Sequence, residues 1–122
     1  MGLFDTTDLL LQRGLEGASM RQQVLANNLA NANTAGFKRS DVDFESALQS
    51  ALGDGSSTQS ALEGMTFQPQ TDSNSTMRAD GNNVDADQEN ADLTQNAIQY
   101  ESLLEVAHAR LGMLKAAMGS GS

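Results

Sequence analysis

The chain has 122 residues, with 16 acidic against 7 basic side chains and a formal net charge of −9. That length allows one domain at most, and the scattered basic residues Arg13, Arg21, Lys38, Arg39, Arg78, Arg110 and Lys115 argue against nucleic acid as a partner. Cysteine and tryptophan are absent and aromatics make up only 4%, which excludes disulfides and thiolate chemistry and leaves too few large side chains for a self-sufficient core.

Met1 to Thr7 reads as a short lead, with Leu3 and Phe4 in need of cover and Asp5, Thr6 or Thr7 available as a helix cap. It lacks the basic and apolar regions of a cleaved secretory signal. The Met1-Gly2 start with Thr6 fits the loose myristoylation pattern, which is too short to carry weight. A first helix is predicted from Asp8 to Asn33, because Leu11, Leu15, Ala18, Gln22, Leu25, Leu29 and Ala32 recur at alternating steps of four and three. Gln22 is the polar intruder of that seam, either a register-fixing buried amide or an edge residue in water. Gly14 and Gly17 each cost a helix interior about 1 kcal/mol relative to alanine. They are expected either to admit another backbone or to leave the first turns ordered only on assembly. Asn27, Asn28, Asn31 and Asn33 crowd the end of this helix although asparagine is a poor helix former. Their amides are expected to bond across subunit contacts, where an uncharged group avoids the cost of burying charge. The competing reading leaves them in water. On the first reading, changing Asn28 or Asn31 to alanine impairs motility without altering the monomer's helix content. Gly36 supplies the helix stop.

Phe37 to Asp43 should be extended, followed by a short helix from Phe44 to Leu52 capped by Asp41 or Asp43, with Phe44, Ala47, Leu48 and Ala51 on its apolar face. Gly53 to Asn83 is rich in Gly, Ser, Thr, Gln, Asn and Asp, with Leu62, Met65, Phe67 and Met77 as its larger apolar residues. It is expected to be a flexible connection. Asp80-Gly81-Asn82-Asn83 forms a turn, and Asp85 or Asp87 caps a second helix from Asp87 to Met118. Its predicted seam is Leu93, Ala97, Tyr100, Leu104, Ala107, Leu111, Leu114 and Met118, with a second apolar row through Ile98, Val106 and Met113. Gly119 to Ser122 reads as a frayed tail. No apolar run approaches the ~20 residues of a membrane-spanning helix.

The stretch ANNLANANTAGFKR, residues 26–39, resembles the shared N-terminal signature of the bacterial flagellar axial proteins. The following SDVDFESAL, the short chain and GNNVDADQENADLTQNAIQYESLL are most similar to the proximal rod proteins of the basal body. Hook and distal-rod relatives insert β-rich domains for which thirty central residues leave no room. The resemblance implies an all-α fold in which two long terminal helices pair as an antiparallel coiled-coil-like domain, with one short helix and a flexible polar central loop. In domain terms, residues 1–52 and 84–122 form the axial core and 53–83 the linker. It also implies export by the flagellar type III apparatus without a cleaved signal. The implied partners are copies of itself, other rod proteins, the rod-base adaptor FliE and the export apparatus.

The expected subunit interface comprises Leu11, Leu15, Gln22, Leu25, Asn27, Asn28, Leu29 and Asn31 on the first helix, and Leu93, Ala97, Tyr100, Leu104, Leu111 and Leu114 on the second. Catalytic chemistry finds no support. The acids Asp80, Asp85, Asp87, Glu89 and Asp92 fail the calcium-loop template, whose sixth and twelfth positions fall on Asp85 and Ala91. His108 is a single histidine with no partner to orient it, and the carboxylate pair of a muramidase has no rigid frame. No metal, cofactor or small-molecule substrate is expected. The alternatives are a soluble helical adaptor or secretion chaperone forming a closed dimer, or another proximal rod protein.

Overall fold

The structure, a computed structural model, describes residues 6–53 and 58–120. The predicted lead up to Asp5, residues 54–57 of the central segment and the last two residues of the tail lie outside the described residues. The element order is α1 (Thr6–Ala30), β1 (Ser40–Asp41), α2 (Phe44–Leu52), α3 (Thr58–Glu63), β2 (Gln70–Thr71) and α4 (Ala86–Ser120).

At 1.5 Å per residue α1 is about 37 Å long and α4 about 52 Å. They lie antiparallel. Asp8 meets Arg110, a Cβ on Gly14 would touch Leu103, Asn96 reaches Ala18, and Asn28 reaches Glu89. This is the predicted pairing of the two terminal helices. α1 stops three residues short of the predicted Asn33, because the chain tightens there. Ala32 N–H donates to Leu29 and Thr34 N–H to Asn31, both spanning three residues instead of four.

α2 matches its predicted bounds, and of the two candidate caps Asp43 takes the role by accepting from the N–H of Ser46 at 3.2 Å. Its Phe44 and Ala51 are buried while Ala47 and Leu48 pack at the edge of the core. Gly17 is where α2 crosses α1, since a Cβ there would lie 2.5 Å from the Phe44 Cβ. Of the two readings open for that glycine, it is the close approach that the fold uses.

The central segment carries more structure than its composition promised. α3 buries Leu62 against α1, and Arg13 donates to the carbonyl of Leu62 at 2.7 Å, placing a cation at the C-terminal end of that short helix. Phe67 meets Phe44 edge to face, ring centroids 6.5 Å apart. β2 pairs antiparallel with β1 in the register Ser40–Thr71 and Asp41–Gln70. The apolar core is therefore small, built on Ala18, Val42, Phe44 and Phe67, with Met20, Val24, Tyr100 and Leu103 packed against it.

Candidate functional site

Three asparagines join the end of α1 to the approach of α4. Asn28 is 1% exposed. Its carboxamide donates to the Ser40 carbonyl at 2.7 Å and accepts from the Ser40 N–H at 3.0 Å, standing in for a neighbouring strand on the free edge of β1. Asn83 does the same between the strands, accepting from the Arg39 N–H at 2.7 Å and donating to the Asp72 carbonyl at 2.6 Å. Asn82 closes the end of α1, its amide donating to the carbonyls of Asn31 at 2.9 Å and Thr34 at 2.7 Å while its oxygen accepts from Val84 N–H at 2.7 Å. Carbonyls at a helix C-terminus have no partner within the helix, so a side chain supplies one. Arg78 adds bonds to the carbonyls of Ala32 and Val84. Gly36 and Gly81, at φ of 77° and 85°, turn the two facing segments so closely that the Gly36 N–H donates to Asp80 at 2.8 Å.

The asparagines of α1 thus divide. Asn28 is spent inside the chain, whereas Asn27 and Asn33 are exposed and Asn31 bonds locally to Asn27 and Thr34. The expectation that an Asn28→Ala change spares the fold is accordingly revised. Cutting its amide strands both Ser40 backbone groups, and the variant should lose about 1–3 kcal/mol of unfolding free energy in urea titration. Asn31→Ala should stay within about 0.5 kcal/mol of the parent. Equal stability of the two variants would contradict the structure.

Arg39 is the hub of an ion network beside these amides. It pairs with Glu89, with Asp72 at 3.0 Å and with Asp41 at 3.3 Å, and Asp41 is shared with Arg21 at 2.7 Å. Glu89 is 1% exposed and takes a further bond from Asn28 at 3.2 Å. The Asp72 carboxyl is held well below the ordinary aspartate range, first by the Ser75 hydroxyl at 2.5 Å and then by the Asn74 N–H at 2.9 Å, with Arg39 adding to both. Burial pushes Asp41 upward, but the Arg21 guanidinium and the Val42 N–H outweigh it and the net shift is down. Burial works against the Arg39 charge as well, and Glu89, Asp72 and Asp41 together still raise it.

Both aspartates bind protons more weakly folded than unfolded, so stability drops as pH drops wherever the unfolded chain takes up protons first. Their contribution is complete above the unfolded aspartate value of about 3.9 and drains away as pH drops from there toward the lower folded values. The urea midpoint should hold steady from about pH 7 to 5 and fall below about pH 4. Asp72→Asn should flatten that fall, and an unaltered profile in the variant would contradict this account.

The seam of α4 differs from the predicted one by half its members. Leu93, Tyr100 and Leu114 do turn toward the rest of the chain, but the row completing the seam is Glu89, Asn96, Leu103 and Arg110, the last three each one residue before the expected Ala97, Leu104 and Leu111. Ala97 and Leu111 are exposed and Leu104 is half-buried. On α1, Leu25 is fully buried while Leu11, Leu15, Gln22 and Leu29 are half-buried. Leu11 and Leu15 line, with Ala107, Leu111 and Leu114, an open apolar groove of about 370 Å³ between the start of α1 and the end of α4. Outside it α4 exposes Ile98 at 62% and Met113 at 65%. Among the described residues no helix is long and apolar enough to cross a membrane, and no group of three or more His, Asp or Glu is arranged to hold a metal.

Sequence reasoning missed Arg39, Asp72, Asn82, Asn83, Glu89 and Asn96 as structural residues. The available signal was an asparagine pair following a glycine, Gly81-Asn82-Asn83, which had been assigned only to a turn. Known proteins bear directly on what such a hairpin is. A sequence profile described as "Flagella basal body rod protein" matches residues 10–38. Among characterised proteins, the flagellar basal body rod protein FlgB of Aeromonas hydrophila is 35% identical, the match covering 95% of this chain and 96% of that protein. The FlgB of Bacillus subtilis (strain 168) is 32% identical over 99% of both chains. That of Escherichia coli (strain K12) is 31% identical over 91% of both. With several relatives above 30% identity aligned over nearly their whole length, the chain belongs to the flagellar basal body rod protein FlgB family.

Proposed function

We propose that the chain is a structural subunit of the proximal part of the flagellar basal-body rod, without enzymatic activity, that assembles helically with other axial proteins to carry torque across the periplasm. The observation that supports it most is the apolar groove left open between α1 and α4, with Ile98 and Met113 exposed elsewhere on α4. A helical hairpin finished on one side and unfinished on the other is suited to joining neighbours through surfaces that do not close on themselves. Of the residues named from sequence, Asn27, Ala97 and Leu111 are exposed and Leu11, Leu15, Gln22, Leu29, Asn31, Leu93, Tyr100, Leu104 and Leu114 half-buried, so these keep surface for that contact. Leu25 and Asn28 serve the fold. Copies of itself, other rod proteins, the rod-base adaptor FliE and the flagellar export apparatus are the partners this reading assigns, with type III export as the route to the basal body.

Leu111 is 46% exposed, so Leu111→Glu should alter the stability of the isolated chain by no more than about 0.5 kcal/mol. In a strain lacking the native gene it should abolish swimming and leave the chain out of purified basal bodies. Normal swimming with the variant incorporated would refute the assignment of this groove.

A further inference from the structure

The row of α4 that faces α1 is the more polar of the two the sequence offers. The row one residue on, Asn90, Ala97, Leu104, Leu111 and Met118, is apolar but for Asn90, yet Ala97, Leu111 and Met118 are exposed and Leu104 is half-buried, while Glu89, Asn96, Leu103 and Arg110 make the contacts with α1. Both choices share Leu93, Tyr100, Ala107 and Leu114 and differ by a roll of the helix of about 50°, at ~100° per residue. Hydrophobic burial alone selects the other roll.

What favours the observed roll is a set of polar cross-links at seven-residue intervals along α4. Glu89 takes the Asn28 amide at 3.2 Å. Asn96 donates to the Ala18 carbonyl at 2.8 Å and to Gln22 Oε1 at 2.8 Å. Arg110 pairs with Asp8. Leu103, between them, sits on Gly14, where a Cβ would come within 3.3 Å. The pairing is retained even though Asn96, fully buried, has no hydrogen-bond partner for its Oδ1 among the described residues, a defect that a seam chosen for stability alone would not carry.

We propose that Asn96 with Gln22, and Arg110 with Asp8, are positioning residues that fix the rotational phase of α4, hiding its polar row and holding Ala97, Leu111 and Met118 at the surface. Glu89 and Asn28 anchor the same phase at the opposite end, where the ion network already secures it. The phase claim stands without the assembly reading, and only the use made of the outward row rests on it.

The chain has no cysteine, so single thiols report the roll without interference. Ala97→Cys is exposed and Leu103→Cys half-buried in the native phase, and in the otherwise unchanged full-length chain the first should react with a maleimide at least about tenfold faster. In an Asn96→Ala/Arg110→Ala background the order should reverse, Leu103→Cys becoming the faster. In an Asp8→Arg/Arg110→Asp background, which keeps the ion pair with its ends exchanged, the native order should persist. A preserved order in the first background overturns the proposal. So does a mere convergence of the two rates, which is what general loosening or loss of helix produces, and so does a reversed order in the exchanged background. Swimming is not read in this experiment, so a failure of the assembly reading leaves its result intact.

Discussion

Replacing Arg39 with methionine should lower the unfolding free energy by about 3–5 kcal/mol, a large share of what a domain of this size commands. Methionine keeps the stem and deletes the charge. Among the described residues Glu89, 1% exposed, would then retain only the Asn28 amide, while Asp72 loses its ion pair with Arg39 and Asp41 keeps that with Arg21. The cost arises from stranding a buried carboxylate more than from losing an attraction, which gives a specific second expectation. Arg39→Met combined with Glu89→Gln should recover at least half of the loss, because the neutral amide tolerates burial beside Asn28. Urea titration followed by far-UV circular dichroism measures both. A loss below about 1 kcal/mol for the single variant would mean that the pair behaves as a solvated surface ion pair.

Gly17→Val should cost about 3 kcal/mol. The expectation runs against helix propensity, by which removing a glycine from a helix interior gains about 0.5–1 kcal/mol. Contact geometry decides the sign. A Cβ at Gly17 would stand 2.5 Å from the Cβ and 2.7 Å from the Cγ of Phe44, at the root of a buried side chain that cannot swing aside without moving α2. Gly112, in the interior of α4, has nothing within 4 Å of the same added atom, so Gly112→Ala should show the propensity gain undisturbed. Thermal unfolding of the two variants separates the effects. Cutting Phe44 to alanine in the Gly17→Val background should cost less than the same cut in the parent, since the clash is relieved at the same stroke. Additive losses would indicate that the two residues do not press on each other.

Much of the frame could be read before the structure. The four-and-three spacing of apolar residues marked both long helices, and Asp43 and Asp85 cap where acids were expected to cap. Asp85 accepts from the N–H groups of Asp87 at 3.1 Å and Gln88 at 3.3 Å. The reciprocal half of the capping box does not form, because Gln88 reaches forward to Asp92 instead. What escaped has a common cause. The phase of α4 depends on bonds between residues 78 and 102 positions apart, and counting apolar side chains along one helix cannot reveal a preference imposed by another. The central segment escaped for a related reason. Its order comes from Leu62 and Phe67, both noted as apolar residues, and from carboxamides that bond backbone groups far away in sequence. Asparagine at a helix end signals a local cap or a turn by its usual habits, and Asn28, Asn82 and Asn83 each work at long range instead.

The way Asn82 finishes α1 bears on when the chain can fold at all. The carbonyls of Asn31 and Thr34, each with a local N–H donor, take a second one from about fifty positions downstream, and Arg13 and Asp8 wait for α3 and for the far end of α4. Contacts so distant in sequence make a helical protein close slowly. A polypeptide emerging from the ribosome would keep its first helix unlatched until almost all of it had been made.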